Sequence, residues 1–573
     1  MKKSLILAAA VMMSLTAVAQ NPQGGQQGRP QGNIPGMGPR FVQTPDPEYV
    51  AYSERSQGGS QEEGRSRNNA PTFFIYPDTR VDEAGAKALV EQLGMKEVKD
   101  ANHGTIYVIN PVGEKYANAA DFEAFKEMFN RARSGNLKVI GIGNGATFVN
   151  TALAPTDAAG HIAGILTIGG KAGKAPAESW GVPVYVAGKN AAKVAKPYIA
   201  MNKAIKTGDR YANGKEPLLT VVINEKADIA LSEAFVQAWK EVFGKNFRYN
   251  NYKHTHYEGA QYGQFGPYEL EPYTDWEALN IKREVVVTEQ RGGLPWLWYE
   301  YWPVELMEGA PEKSVPVMVL LHGNANDPRT QAETSGFIQV AGKERFFVVE
   351  MEWQGSRNYG AMGHDGVEQV INRLLAKYPQ LDPSRVYAEG LSAGSMTATA
   401  LGIRKSHVFA AVGGHSGGIF GSSHGPFSNL TSFWAEATQK RGAVEMPYCS
   451  VIGTADTTVP FFTPDNYKDN SYLNAWNVYQ QMNGLPVIKD LDFSVDPVFG
   501  FQLVDRQTVV TNKGEGIKME IGQQYKGTMP LIRLVAVMDY GHWNFMPTAQ
   551  VMWDFFKQFS RDPETKKLIY HEN

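Results

Sequence analysis

Three residues of the types that nucleophilic acyl transfer requires occur along this chain: Ser392, Asp456 and His542. Ser392 is the centre of Gly390-Leu391-Ser392-Ala393-Gly394, a G-x-S-x-G pentapeptide. The β-branched and aromatic run Arg385-Val386-Tyr387-Ala388 enters it, and small residues with Met396 leave it. Strand, sharp turn and helix in that order hold a serine out where a carbonyl carbon can reach it, with glycines where the turn leaves no room for a Cβ. A serine hydroxyl then needs a base to take its proton, an acid to orient that base, and N–H donors for the developing oxyanion. His542, in Asp539-Tyr540-Gly541-His542-Trp543, is the expected base, and Asp456, in Gly453-Thr454-Ala455-Asp456, the expected acid. The N–H groups of Ala393 and Asn324 are the expected oxyanion donors, because His322-Gly323-Asn324 directly follows an early strand and Gly323 permits close backbone approach.

Other residues compete for these roles. Asp539 and Asp505 are rival acids, but Asp456 follows its strand directly in a Gly-x-x-Asp turn. His415 and His424 precede the acid, the wrong order for the base in a Ser…Asp…His arrangement, though either can line a pocket. His322 belongs to a different element. His254 and His256 form an H-x-H pair without a third ligand at obvious spacing, so a surface reading is preferred and no metal is expected.

Positioning such a constellation takes a sheet whose strands end in loops, and the hydrophobic pattern supplies one twice. From Pro71, short β-rich runs alternate with amphipathic stretches, the signature of a parallel sheet with crossover helices. Thr72 to Tyr76, Thr105 to Asn110, Leu137 to Gly141, Ile162 to Ile168, Val182 to Ala187 and Leu218 to Ile223 predict strands. Val81 to Leu93, Ala120 to Arg133, Thr147 to Leu153 and Ile229 to Phe243 predict helices. After an aromatic and polar stretch, Ile281 to Glu289 and Trp296 to Trp302 predict an antiparallel pair. Strands at Val315 to Leu321, Phe346 to Met351, Val408 to Gly413, Pro447 to Ile452 and Leu531 to Met538 follow, with helices at Gly366 to Lys377 and Ala549 to Phe559. Trp296, Trp298, Tyr299, Tyr301 and Trp302 could stack on sugars, but core and sheet-edge packing is the preferred reading. Phe461 to Pro530, between acid and base, is expected to cover the pocket.

The 573 residues are too many for one core, and a net charge of -3 offers no basic stripe for nucleic acid or anionic membrane surfaces. Met1-Lys2-Lys3, an apolar run and Ala17-Val18-Ala19 predict a signal peptide over 1–19, hence a periplasmic or secreted protein without a membrane span. Residues 20–68, rich in Gly, Gln and Pro, predict a flexible leader. The lone Cys449 cannot form an intramolecular disulfide and is expected in the core.

The second half resembles the esterases that include feruloyl and acetyl xylan esterases and polyhydroxybutyrate depolymerase-like enzymes, of the α/β-hydrolase fold. V-P-V-M-V-L-L-H-G, L-D-P-S-R-V-Y-A-E-G-L-S-A-G-S-M, P-Y-C-S-V-I-G-T-A-D-T-T-V-P, G-H-W and W-D-F-F carry the resemblance, over roughly residues 280 to 562. It implies ester hydrolysis on Ser392, Asp456 and His542, with no cofactor and no metal. Ser395 departs from the glycine often found after the elbow, and Glu389 places a carboxylate just before it.

The first half reads as a silent copy of the second. Leu137 to Gly145, L-K-V-I-G-I-G-N-G, matches Val386 to Gly394, placing Gly143 at the serine, Ala191 near the acid, Asp228 at the histidine and Pro77 at His322. The expected organisation is an α/β protein of two α/β-hydrolase-like domains: a degenerate one over 69–245, a linker over 246–280 and a catalytic one over 281–573. The degenerate copy would support the active one, help bind a large substrate, or mediate dimerisation. The expected function is an exported serine carboxylesterase acting on feruloyl or acetyl esters of plant-polysaccharide material, its partners an acylated carbohydrate or small ester, with a homodimer as a further option. A prolyl-oligopeptidase-like peptidase is the alternative, disfavoured because no propeller repeat precedes the second half. A non-catalytic carbohydrate-binding protein is the other.

Overall fold

The computed structural model describes residues 40–42, 49–52, 71–95, 106–132, 136–248, 270–291, 294–324, 328–354, 362–421, 429–440, 444–511 and 516–572. The expected signal peptide, nearly all of the expected leader, and His254, His256 and His424 lie outside these residues. Among the described residues no helix is long and apolar enough to cross a membrane.

Two ten-stranded sheets dominate. The first contains β1 (Arg40–Val42), β2 (Tyr49–Tyr52), β3 (Thr72–Tyr76), β4 (Ile106–Ile109), β5 (Leu137–Ile142), β6 (Ile162–Ile168), β7 (Val184–Ala187), β8 (Ala204–Thr207), β9 (Arg210–Asn213) and β10 (Thr220–Asn224), in the order β1-β2-β4-β3-β5-β6-β7-β10-β9-β8. A short pair, β11 (Asn246–Arg248) and β12 (Leu270–Pro272), follows. The second sheet contains β13 (Ile281–Arg291), β14 (Leu294–Pro303), β15 (Val315–Leu321), β16 (Phe347–Met351), β17 (Leu381–Gly390), β18 (Ala411–His415), β19 (Tyr448–Gly453), β20 (Val504–Val510), β21 (Lys518–Lys526) and β22 (Met529–Val537). Its order, β13-β14-β16-β15-β17-β18-β19-β22-β21-β20, is that of the first sheet with each strand number raised by twelve. In both, a parallel centre is flanked by antiparallel strands at each edge.

The central strands are apolar because helices cover both faces and leave no solvent side to alternate toward. All seven residues of β15, V-P-V-M-V-L-L, are buried. The helix Gly363–Lys377 lays Val367, Val370, Ile371 and Leu374 on the core, the three- and four-residue spacing of an amphipathic helix. Trp296, Trp298, Tyr299, Tyr301 and Trp302 are all at most 6% exposed, so they are core residues, not a sugar platform. Cys449 is buried too, and burial pushes its thiol up to about 12.

Several elements differ from the pattern-based expectation. The strand after the elbow starts at Ala411, which pairs with Tyr387, so His415 ends a strand instead of lying in a loop. The hairpin β8–β9 escapes a pattern search because its residues are polar and largely solvated, turning at Gly208 with φ 65°. The helix Ala191–Met201 before it carries Pro197 inside, a residue that normally argues against a helix. Much of 461–530 builds the fold itself: the helix Ser471–Asn483 is largely buried, and β20 and β21 extend the second sheet.

Candidate functional site

The turn between β17 and the helix Ala393–Arg404 places Ser392 at φ 53°, ψ −115°, a left-handed conformation that a side chain rarely adopts. Neighbouring backbone holds it there. Ser392 N donates to His415 O at 2.8 Å, Leu391 N to Leu321 O at 3.1 Å, and Met396 N to Ser392 O at 3.0 Å. Gly394 is a close-approach glycine: a Cβ there would overlap the carbonyls of Leu321 and His322 at the end of β15. The turn is thereby wedged against the His322-Gly323-Asn324 loop, with the Ala393 amide opening the helix and Asn324 on the neighbouring loop. Gln354 fixes the Asn324 side chain, donating to its Oδ1 at 2.8 Å.

That loop is braced from behind. His322 is fully buried, with Nε2 3.1 Å from Glu352 Oε1 and Nδ1 2.8 Å from Gly323 O. Trp353 Nε1 donates to His322 O at 2.9 Å. The histidine thus ties its loop to the end of β16.

Asp456 and His542 lie on the turns after β19 and β22, adjacent parallel strands. His542 Nδ1 is 2.7 Å from Asp456 Oδ2, with both residues at most 5% exposed. The other carboxylate oxygen accepts from Thr458 N at 2.8 Å and Val459 N at 2.9 Å, which fixes the carboxylate plane. Tyr472 OH lies 3.5 Å from Oδ2. An Nδ1–H donating to Asp456 makes Nε2 the unprotonated ring nitrogen, the tautomer a general base needs. Of the rival acids, the Asp505 carboxylate is engaged by Gln523 and Tyr525.

His415 is also buried, its Nδ1 2.9 Å from Ser416 Oγ. Burial, with the nearby His542, pushes it down to about 3, so it is a neutral ring beneath the elbow. Two polar residues near the site escaped sequence reasoning: Gln331, which reaches Glu389 in the interior, and Asn544, which bonds Gln331. Only the position of Asn544, two residues after His542, could have drawn attention to it. Among the described residues no cluster of three or more metal-ligating side chains occurs.

The first half has the same turn with a glycine at its tip. Gly143 sits at φ 56°, ψ −112°, between β5 and the helix Asn144–Phe148. Its N donates to Ile168 O at 2.9 Å and its carbonyl accepts from Thr147 N at 3.0 Å, as Ser392 does with His415 and Met396. Gly145 abuts the carbonyls of Tyr76 and Pro77 as Gly394 abuts those of Leu321 and His322. The amide of Asn144, counterpart of Ala393, is already taken: it donates to Asp78 Oδ1 at 2.7 Å.

The second half has the α/β-hydrolase fold, and the family match within it is to a carboxylic ester hydrolase. Residues 301–451, from β14 through the elbow to β19, match the family Esterase PHB depolymerase. No curated protein matches the chain. Among solved structures, an acetyl xylan esterase from Aspergillus awamori is similar at 14% identity and TM-score 0.33, over 48% of this chain and 99% of its own. A ferulic acid esterase is similar at 17% identity and TM-score 0.28, over 36% of this chain and 88% of its own. A thermostable esterase is similar at 14% identity and TM-score 0.29, over 49% and 63% respectively. TM-scores this low carry neither substrate nor mechanism across.

Proposed function

We propose that the protein is an exported serine carboxylesterase that removes small or aromatic acyl groups, such as acetate or ferulate, from plant-polysaccharide-derived esters. The observation that carries this reading is the strained conformation of Ser392 at the elbow, in a fold that also pairs His542 with Asp456 at 2.7 Å. Strain of this kind persists where the surroundings over-determine it, and functional sites are where it concentrates.

Ser392 Oγ attacks the ester carbonyl carbon as its proton passes to His542 Nε2. The Asp456 carboxylate stabilises the imidazolium that forms. The oxyanion receives hydrogen bonds from the amides of Ala393 and Asn324. Collapse breaks the C–O bond, the leaving alkoxide takes the proton from Nε2, and the acyl group stays on Ser392. Water, deprotonated by the same nitrogen, then releases the acid and restores the serine.

The first half is a degenerate copy of the same hydrolase architecture. Its support is the shared strand order, the shared elbow conformation and the glycine at the nucleophile position. The test is hydrolysis of p-nitrophenyl acetate, methyl ferulate, acetylated xylan and an aminoacyl anilide by wild type and Ser392→Ala. Ester turnover that disappears in the variant is expected. Equal rates in both would remove the serine mechanism, and anilide cleavage without ester preference would make the protein a peptidase.

A further inference from the structure

The helix Pro328–Ser335, which follows the oxyanion loop, is anomalous: apart from Pro328 and Ala332 its residues are polar, yet Thr330, Gln331, Glu333, Thr334 and Ser335 are all buried. A buried polar helix is costly unless its side chains are hydrogen-bonded, so what they bond to indicates what the helix holds. On one side it holds the loop that carries His542. Asn544 Nδ2 donates to Gln331 Oε1 at 3.0 Å and to Thr334 Oγ1 at 2.9 Å. Gly336, just past the helix, lies so close to the Met546 backbone that a Cβ would overlap it. Gln331 also reaches the elbow strand, its Nε2 3.3 Å from Glu389 Oε2.

On another side the helix is held by the segment between the two sheets. Thr274 Oγ1 donates to the buried Glu333 Oε2 at 2.6 Å. That segment is fastened to the first half. Tyr273 OH accepts from Asn136 Nδ2 at 2.6 Å, and its neighbour strand β11 accepts from the buried Lys138 Nζ at Asn246 O, 2.5 Å away. Arg248 donates to the carbonyls of Ile162 and Gly181.

We propose that the helix Pro328–Ser335 is a positioning element through which the first half braces the His542 loop, so that the non-catalytic half sets turnover by way of Tyr273, Thr274 and Asn544. This rests on the assignment of His542 as the base. The first half is then neither a spare fold nor a second site. It is an anchor, and the linker transmits its rigidity to a side chain that must stay aligned with Ser392.

The test uses the full chain and p-nitrophenyl acetate, with the burst amplitude counting competent sites and the urea midpoint reporting folding. Asn544→Ala is expected to lower kcat by about 10- to 100-fold with KM held within about twofold, the signature of misplacement and not of lost binding. Thr274→Val and Tyr273→Phe are expected to lower kcat by about 3- to 10-fold, with Thr274→Ser restoring it. The Thr274→Val/Asn544→Ala double variant is expected to lose less than the product of the single losses, because the two act through one helix. Unchanged kcat per competent site in both Tyr273→Phe and Thr274→Val overturns the brace, as do strictly multiplicative losses in the double variant. Tyr273→Phe keeps the experiment decisive if Thr274→Val folds poorly. Activity surviving in Ser392→Ala would instead sink the underlying reading, so the two failures are distinguishable.

Discussion

Gly143 and Ser392 share one backbone conformation, φ 56° and ψ −112° against φ 53° and ψ −115°, each at the tip of a β-turn-helix unit and each donating its amide to the end of the next parallel strand. One position pays a steric cost for its side chain and the other does not. The glycine shows what the turn would adopt with no nucleophile to present.

That difference predicts a stability–activity trade at the elbow. Ser392→Gly removes the strained Cβ, and it is expected to raise the unfolding free energy by ~1 kcal/mol over Ser392→Ala, net of the extra chain entropy of glycine. Both variants lose ester hydrolysis. Urea unfolding of the two side by side isolates the strain, and equal midpoints would mean that the turn holds Ser392 without cost.

The reverse change tests the silent elbow. A Cβ at 143 would overlap the Asp78 carboxylate, which already occupies the Asn144 amide. Gly143→Ser is therefore expected to destabilise by ~2 kcal/mol. Asp78→Gly in the same chain, which supplies the residue type found at Gly323, is expected to recover part of that loss. Neither variant is expected to be labelled by a fluorophosphonate in a Ser392→Ala background, because the repeat register puts Asp228, not a histidine, at the base position. Labelling, detected by mass spectrometry, would show that the first half retains a working base.

The proposed acid has its own test. Asp456 binds His542 Nδ1 with one oxygen and two backbone amides with the other. Asp456→Asn keeps the shape but offers an NH₂ or a neutral carbonyl where a carboxylate fixed the tautomer. kcat is expected to fall by about 10³- to 10⁴-fold while the urea midpoint moves little. Asp539→Asn and Asp505→Asn are expected to retain turnover. A larger loss from either of these than from Asp456→Asn would reassign the acid.

Much of this was legible in the chain because the strongest signals are local. G-x-S-x-G between a β-branched run and a helix-forming run fixes a turn within a dozen residues, and the parallel strands announce themselves as apolar runs with no polar alternation. Even the strand-for-strand repeat was visible in L-K-V-I-G-I-G-N-G. The illegible parts depend on distant partners. Gln331 and Asn544 are separated by 213 positions and look like surface residues until the fold buries them together. Asp78 sits in the Asn144 amide across 66 positions. The aromatic run at 296–302 has the composition of a sugar platform, and only the helices packed on the sheet make it core.

Glu389 supplies a pH prediction. Burial, partly offset by the Gln331 side chain, pushes its carboxyl up to about 8. The unfolded chain would titrate the same group near 4.5. Between those values the folded protein keeps the proton and the unfolded chain has lost it, so the folded state binds more protons and stability falls as pH rises. The contribution is fully present below about 4.5, declines through the interval, and is gone above about 8, a span worth on the order of 4 kcal/mol. Glu389→Gln keeps the shape and removes the proton equilibrium. The wild-type unfolding free energy minus that of Glu389→Gln is therefore expected to decrease steadily from pH 5 to pH 8 in parallel urea titrations. A difference that stays flat, or rises, would mean that Glu389 is ionised in the folded protein and that Gln331 holds a carboxylate beside the elbow.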